Sequence, residues 1–444
     1  MLKEMTHFLR YGTHSEKDFF LGESAITSYD AAIINANMVA YTPKAMAAFA
    51  LKLKRPFFID PQTHAFQHGF EFLVNKNGDP KQSIKNLATS YGNPISGAIE
   101  SGQSVNVSDF DSVSKRKDFI DNVIKFQSDT VHNIVTTGTD SEYVNFALRD
   151  ESSGLSRDNI TPAGVVAPYF YIDNTDELPV SINKQFILES LSTLKEKKTP
   201  LVAQLVISKN ALSDEVFRKK IIEIYTALPV ETVFIWVDDF DEAEVSEESL
   251  RNFKELVVGL ASKGKKVVNL YGGYFSILLT KLESGLSGVC HGMEYGESRK
   301  VVPVGGGLPR AKYYFRPLHK RLAAEDFLRI IRGNAGWREG SKNKEFASKV
   351  CDCKMCEDLE QFTETQTYEV KSKNGTRRGE TSTAAAKEHS LEHYLINKKK
   401  EFDFVRDNNL SVLIEDLKKS SETYLSTAGD VNVDHLERWI KILT

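Results

Sequence analysis

Residues 200–239 read PLVAQLVISKNALSDEVFRKKIIEIYTALPVETVFIWVDD, and this stretch decides the fold. Residues 200–207 (PLVAQLVI) and 231–239 (ETVFIWVDD) are short, nearly unbroken apolar runs, the pattern of strands buried on both faces. Between them, residues 212–227 carry apolar side chains at helical spacing. One complete βαβ unit is therefore present, and the same rhythm extends in both directions. Upstream, the pattern predicts strands over 31–40, 56–60 and 163–172, with helices over 43–53, 109–134 and 180–195. Downstream, it predicts helices over 246–262 and 275–284, with strands over 265–270 and 286–290. Residues 62–107 read as a long functional loop. Residues 1–29 are weakly patterned and read as a lead-in.

Strands alternating with helices over more than 250 residues predict a parallel sheet. A closed barrel and an open doubly wound sheet both satisfy the pattern. No GxGxxG follows the first strand, which argues against the dinucleotide-binding version of the open sheet. A (β/α)8 barrel of the TIM type is the expectation, with its chemistry at the carboxyl ends of the strands. The residues standing there are Asp60, Asp173, Gln204, Asp238 with Asp239, Gly272 with Gly273, and Cys290 with His291.

Composition narrows the class. With 27% charged residues and a formal net charge of −4, the chain has no global basic field for non-specific nucleic-acid binding, so such contact needs a local patch. Lys312, Arg316, Arg377 and Arg378 are candidates for one, and a solvated charged surface is the plainer alternative. No apolar run is long enough to span a membrane and no signal peptide is legible at the N-terminus, so a reducing, cytoplasmic setting is the expectation.

Only four cysteines occur, and three of them fall in Cys351-Asp352-Cys353-Lys354-Met355-Cys356. Thiolates this close repel one another unless a soft cation holds them, and zinc takes four tetrahedral N/S ligands. Three free cysteines in a polar loop are the plainer reading. A disulfide fits less well, since three cysteines leave one unpaired. His389 and His393 stand downstream at i and i+4 of a helix expected over 388–403, on one face, so either reaches the metal.

The CxCxxC pattern followed by His389-Ser390-Leu391-Glu392-His393-Tyr394-Leu395 resembles the zinc subdomain of the tRNA-guanine transglycosylase family. The phase of the match implies Cys351, Cys353, Cys356 and His389 as ligands of a structural zinc inserted late in a (β/α)8 barrel. Arg55-Pro56-Phe57-Phe58-Ile59-Asp60, with Phe66-Gln67 beyond, is similar to the family strand bearing an active-site aspartate. Residues 267–299 echo the family's approach to its nucleophile. There the nucleophilic aspartate falls on or beside Cys290-His291, and no aspartate stands at that place. Asp238 and Asp239 are candidates for a relocated carboxylate, and Cys290 is a further candidate.

The resemblance implies exchange of guanine for a 7-deazaguanine base in DNA or tRNA. Exchange at an anomeric carbon needs two carboxylates at a dry pocket, hence Asp60 with Asp238 or Asp239. Gln204 could read a base edge and Tyr169 could stack on a purine; a structural hydrogen bond and a core aromatic are the alternatives. Gly305-Gly306-Gly307 could offer backbone N–H groups to a phosphate. The other function carried forward is an inactive relative that binds nucleic acid or a partner protein, or pairs as a homodimer. A hydrolase or deaminase with catalytic zinc fits poorly, because four protein ligands leave no open position. The expected organisation is a lead-in over 1–29, a barrel over 30–340, a zinc subdomain over 341–408 and C-terminal helices over 409–444.

Overall fold

The structure is a computed structural model that describes residues 5–22, 28–136, 160–195, 199–294, 296–302, 310–333, 337–372, 375–424 and 431–444. The first strand is Thr6–Tyr11 (β1), inside the expected lead-in. It runs parallel to Ala31–Asn35 (β2) on one side and Gly288–Gly292 (β9) on the other. The expected 1–29 lead-in therefore contains a barrel strand: β1 lies between β2 and β9 and joins the N-terminal strands of the sheet to its last one. Its polar residues hid it, since His7 and Arg10 are buried like the rest of the strand.

The remaining strands are Phe57–Asp60 (β3), Val165–Val166 (β4), Tyr171–Ile172 (β5), Leu201–Ile207 (β6), Thr232–Val237 (β7) and Lys266–Asn269 (β8). All pair in parallel in the order β3-β2-β1-β9-β8-β7-β6-β4, with β5 also on β6. β4 and β5 act as two pieces of one interrupted strand, so the sheet is a nearly closed eight-strand barrel. Among the described residues, one backbone bond, Ala163 N–H to the Phe57 carbonyl at 2.8 Å, links its two edges.

The closing strand is interrupted because side chains replace its ladder. Thr63 Oγ1 accepts from Tyr169 N–H at 2.8 Å and donates to the Tyr169 carbonyl at 2.6 Å. Asn183 pairs with both backbone groups of Phe170, at 2.7 and 2.9 Å. Gln67 does the same for Tyr171, at 2.6 and 3.3 Å. Gln127, from the helix Val113–Thr136, serves Val166 at 2.8 and 2.9 Å. Buried backbone groups need partners, and here four side chains supply them. Residues 62–107 are accordingly no open loop. They hold Thr63–Gln67 and the helices Phe70–Leu73, Gln82–Tyr91 and Ile95–Glu100.

The barrel interior is packed. Phe8, Phe58 and Phe234 meet there with ring centroids 5.4–6.2 Å apart. Glycine makes room for them: a Cβ on Gly288 would stand 2.9 Å from both the Phe8 ring and the Thr6 carbonyl oxygen. Gly288→Ala should therefore lower stability by about 1–3 kcal/mol through overpacking. Chemical denaturation checks this, and an unchanged midpoint would contradict it.

The chain forms two compact units. The first comprises Met1–Phe240, Arg251–Gly272 and Leu282–Pro303; the second comprises Asp241–Leu250, Gly273–Lys281 and Val304–Thr444. The second unit contains the antiparallel pair Lys312–Phe315 (β10) and Lys320–Ala323 (β11). It also contains the cysteine segment and a hairpin of Thr365–Ser372 (β12) and Gly375–Ser382 (β13). The helices Ala384–Asp407, Leu410–Tyr424 and Asp434–Leu443 follow. The polar stretch 371–387 thus contributes to a hairpin and a helix start. No helix among the described residues is long and apolar enough to cross a membrane.

Candidate functional site

In the second unit, Cys351, Cys353, Cys356 and His393 place their four donor atoms within 4.8 Å of one another, all buried. Cys353 Sγ lies 3.6 Å from Cys356 Sγ and 3.2 Å from His393 Nδ1, and Cys356 Sγ lies 3.6 Å from the same nitrogen. Thiolates about 2.3 Å from one tetrahedral centre stand roughly 3.7 Å apart, so the spacing suits one metal ion. The His393 tautomer suits it too. Nε2–H donates to the Tyr314 carbonyl at 2.9 Å, which leaves the Nδ1 lone pair facing the sulfurs. The Tyr313 hydroxyl lies 3.0 Å from Cys356 Sγ, and Cys353 N–H points at Cys351 Sγ at 3.5 Å.

His389 is not the fourth member, which corrects the expectation. Its Nε2 lies 2.8 Å from the Met355 carbonyl and 3.2 Å from that of Asp358. It pins the backbone around Cys356 rather than facing the cluster. Both histidines lie on one side of the helix Ala384–Asp407, and the turn that bears His393, one beyond that of His389, meets the sulfurs.

In the first unit, the carboxyl ends of the strands surround Asp60. Burial alone would push its carboxyl up, but Arg10, His64 and Tyr169 together hold it below the ordinary carboxylate value. Arg10 Nη1 donates to Asp60 Oδ2 at 2.9 Å and to Asn35 Oδ1 at 2.7 Å. Asp60 Oδ1 accepts from the Tyr169 hydroxyl at 2.6 Å and from Gln62 N–H at 3.1 Å. Contacts continue around the mouth. The Arg10 guanidinium sits 4.8 Å over Tyr271, Tyr271 packs on Trp236, Trp236 meets His64 edge-on, and His64 stacks on Tyr169.

A cavity of about 140 Å³ opens here, lined by His64, His68, Trp236, Arg299 and Asn37 among others. Burial pushes the His64 imidazole down to about 3, against the pull of Asp60, so it is neutral at pH 7. Burial also lowers His68, opposed by its bond to the Val301 backbone and by Asp238. Nδ1 of His64, Nε2 of His68 and Oδ1 of Asn37 have no hydrogen-bond partner among the described residues. Buried polar atoms are rarely left so, and all three belong to residues that line this cavity. Neither histidine stood out in the sequence. The signal was there: two histidines follow Asp60 at intervals of four.

The other expected residues divide. Asp238 Oδ1 accepts from Val301 N–H at 2.6 Å and Oδ2 from the Tyr171 hydroxyl at 3.1 Å, which keeps it at the mouth. Asp239 turns away through a left-handed backbone (φ 50°) and pairs with Lys209. It is removed from the candidate carboxylates. Asp173 takes the Tyr171 hydroxyl at 3.1 Å. Tyr169 is buried against Asp60 and is not a free stacking platform. Gln204 is buried, and both polar atoms of its amide lack a partner among the described residues.

Cys290 is enclosed beside Arg10, and burial pushes its thiol up to about 12, unsuited to attack at neutral pH. His291 faces away from the mouth, its Nε2 lying 2.7 Å from that of His7. Gly272 N–H is spent on the Cys290 carbonyl at 2.9 Å, so its backbone offers no free donor. In the second unit, Gly273 N–H is bonded to Glu242 Oε2 at 3.0 Å. Of the basic candidates there, Arg378 pairs with Glu369 at 2.5 Å. Lys312 has its backbone tied to Ser390, and Arg316 lines a cavity. The Arg377 side chain and Gly305-Gly306-Gly307 lie outside the described residues. A comparison with protein-family models finds no match to the chain, and neither does a comparison with curated proteins.

Proposed function

We propose that the chain is a transglycosylase that exchanges guanine in nucleic acid for a 7-deazaguanine base, with a zinc ion held by Cys351, Cys353, Cys356 and His393. The observation that supports the reading is a cavity lined by Trp236, His64 and His68, with a strand-end carboxylate acting on each histidine: Asp60 on His64 and Asp238 on His68. Asp238 takes the nucleophile's role, because its carboxylate is the less enclosed of the two. Its oxygen forms a bond to the anomeric carbon as the carbon–nitrogen bond to guanine breaks. The departing purine takes a proton from water; the incoming base gives one up as it displaces Asp238. Asp60, kept ionised by Arg10, stabilises the positive charge that develops on the sugar. The zinc, closed by four protein ligands, supports the fold of its unit and takes no part in the chemistry.

A second reading has one observation in its favour. Every oxygen of Asp60 is already hydrogen-bonded and β9 carries a buried thiol unsuited to attack in place of an aspartate, which suits an inactive subunit that binds nucleic acid. The test is to incubate the protein with guanine-containing DNA or tRNA, withhold the incoming base, and denature. A covalent adduct should survive in wild type and in Cys290→Ser. It should be absent in Asp238→Asn, and Asp60→Asn should lose turnover by 10²-fold or more, on the order of one lost charge-stabilising group. Binding without adduct or exchange in wild type would favour the second reading.

A further inference from the structure

The second unit holds a cavity of about 560 Å³, separate in its residues from the metal-binding donors except for Cys351 at its wall. Three segments of the chain line it: one brings Arg316 and His319, a second Lys349 and Asp352, and a third Asp416 with Lys419. Two of these charges are already spent: Lys349 pairs with Glu345 and Asp352 with Lys400. Arg316, Lys419 and Asp416 have no ion-pair partner among the described residues.

His319 is the decisive member. It is only 5% exposed, and its ring stacks on Tyr274 at 3.4 Å. Its Nδ1 is committed to Glu401 Oε1 at 2.5 Å. Glu401 is itself fixed by Lys398 at 2.8 Å and by the Tyr314 hydroxyl at 2.8 Å. This buried network sets the ring plane and leaves Nε2 with no partner among the described residues. A buried imidazole braced at one nitrogen and empty at the other is a prepared contact for a ligand.

We propose that this cavity binds a phosphate group carried by a larger molecule, with Arg316, Lys419 and His319 Nε2 as its contacts. Two cations with no ion-pair partner among the described residues line the cavity together with this ring, and charge-assisted bonds to an oxyanion are the strong ones. The volume exceeds that of a bare phosphate and falls in the range of small-molecule sites, so the rest of a nucleotide fits beside the group. A free nucleotide and a nucleic-acid backbone offer the same chemistry. The inference stands apart from base exchange, which concerns the other unit.

The experiment is titration calorimetry on the full, metal-loaded chain with inorganic phosphate, guanosine monophosphate, guanosine, and a short single-stranded DNA. Phosphate and the monophosphate should bind and guanosine should not. Arg316→Gln and Lys419→Gln should each weaken binding about tenfold, the loss of one charge-assisted bond. Asp416→Asn should tighten it, and Lys399→Gln, which pairs outside the cavity with Asp403, should leave it unchanged. His319→Gln should weaken binding as well. If that variant fails to fold, the two cation variants decide the matter alone. DNA binding lost in the same variants assigns the backbone as the source; DNA binding indifferent to them, with the monophosphate lost, assigns the free nucleotide. Equal affinity of wild type, Arg316→Gln and Lys419→Gln for the monophosphate, or no binding of any phosphate, overturns the proposal.

Discussion

Cys353→Ala and His393→Ala should each release the metal and loosen the cysteine segment of the second unit, whereas His389→Ala should keep the metal. The contrast follows from geometry: His393 Nδ1 faces the sulfurs, while His389 Nε2 faces the Met355 and Asp358 carbonyls. Structural zinc is worth about 10–16 kcal/mol of apparent binding free energy in small domains, so losing one ligand of four has a large effect. His389→Ala should cost only about 1–3 kcal/mol, for a lost buried hydrogen bond. Metal analysis of the purified variants checks the assignment. Retention in His393→Ala together with loss in His389→Ala would reverse it.

Arg10→Met should destabilise the first unit by about 3–5 kcal/mol, the cost of leaving one member of a buried ion pair unpaired. Arg10 and Asp60 are both about 98% buried or more, so no water replaces the missing partner. The double variant Arg10→Met, Asp60→Leu should recover a large part of the loss, because it removes the stranded charge. The pH dependence has a definite sign. The folded carboxyl of Asp60 lies below its unfolded value. Its stabilising contribution is therefore present above the unfolded value, about 3.9, and fades as pH falls through that value toward the folded one. The stability gap between wild type and Asp60→Leu should shrink between pH 5 and pH 3. Urea unfolding at pH 7 and pH 3.5 reads this directly, and a gap that widens in acid would rule it out.

Asp60 was legible because it directly follows an apolar run, where a barrel places its chemistry. Its real environment was not legible. Arg10 comes from a strand fifty residues earlier, and Tyr169 from one more than a hundred residues later. Nothing local marks such partners. Asp238 and Asp239 illustrate a finer limit. Adjacent residues at a strand end point apart, and only the left-handed turn at Asp239 decides which one faces the mouth. Gln67 shows a third. The resemblance drew attention to Phe66-Gln67 beside an active-site aspartate, yet Gln67 serves as a backbone partner for Tyr171.

The alternation of apolar strands and amphipathic helices by itself determined a parallel α/β architecture. It did so because periods of two and of 3.6 residues are local properties that the chain displays without folding. The tight cysteine spacing likewise pointed to a cluster that could hold a metal, since three thiols so close in sequence can converge on one centre within a single short loop. Closure was decided only in three dimensions. β1 carries His7 and Arg10 in a short run that no pattern marks as buried, and these residues find partners only when β9 and β3 arrive beside them. The fourth member of the cysteine cluster was decided in the same way. His389 and His393 are equivalent along one helix face, and the choice depends on which turn meets the sulfurs. That depends on how the helix packs over Tyr313 and Tyr314, a tertiary contact that the sequence alone does not encode locally.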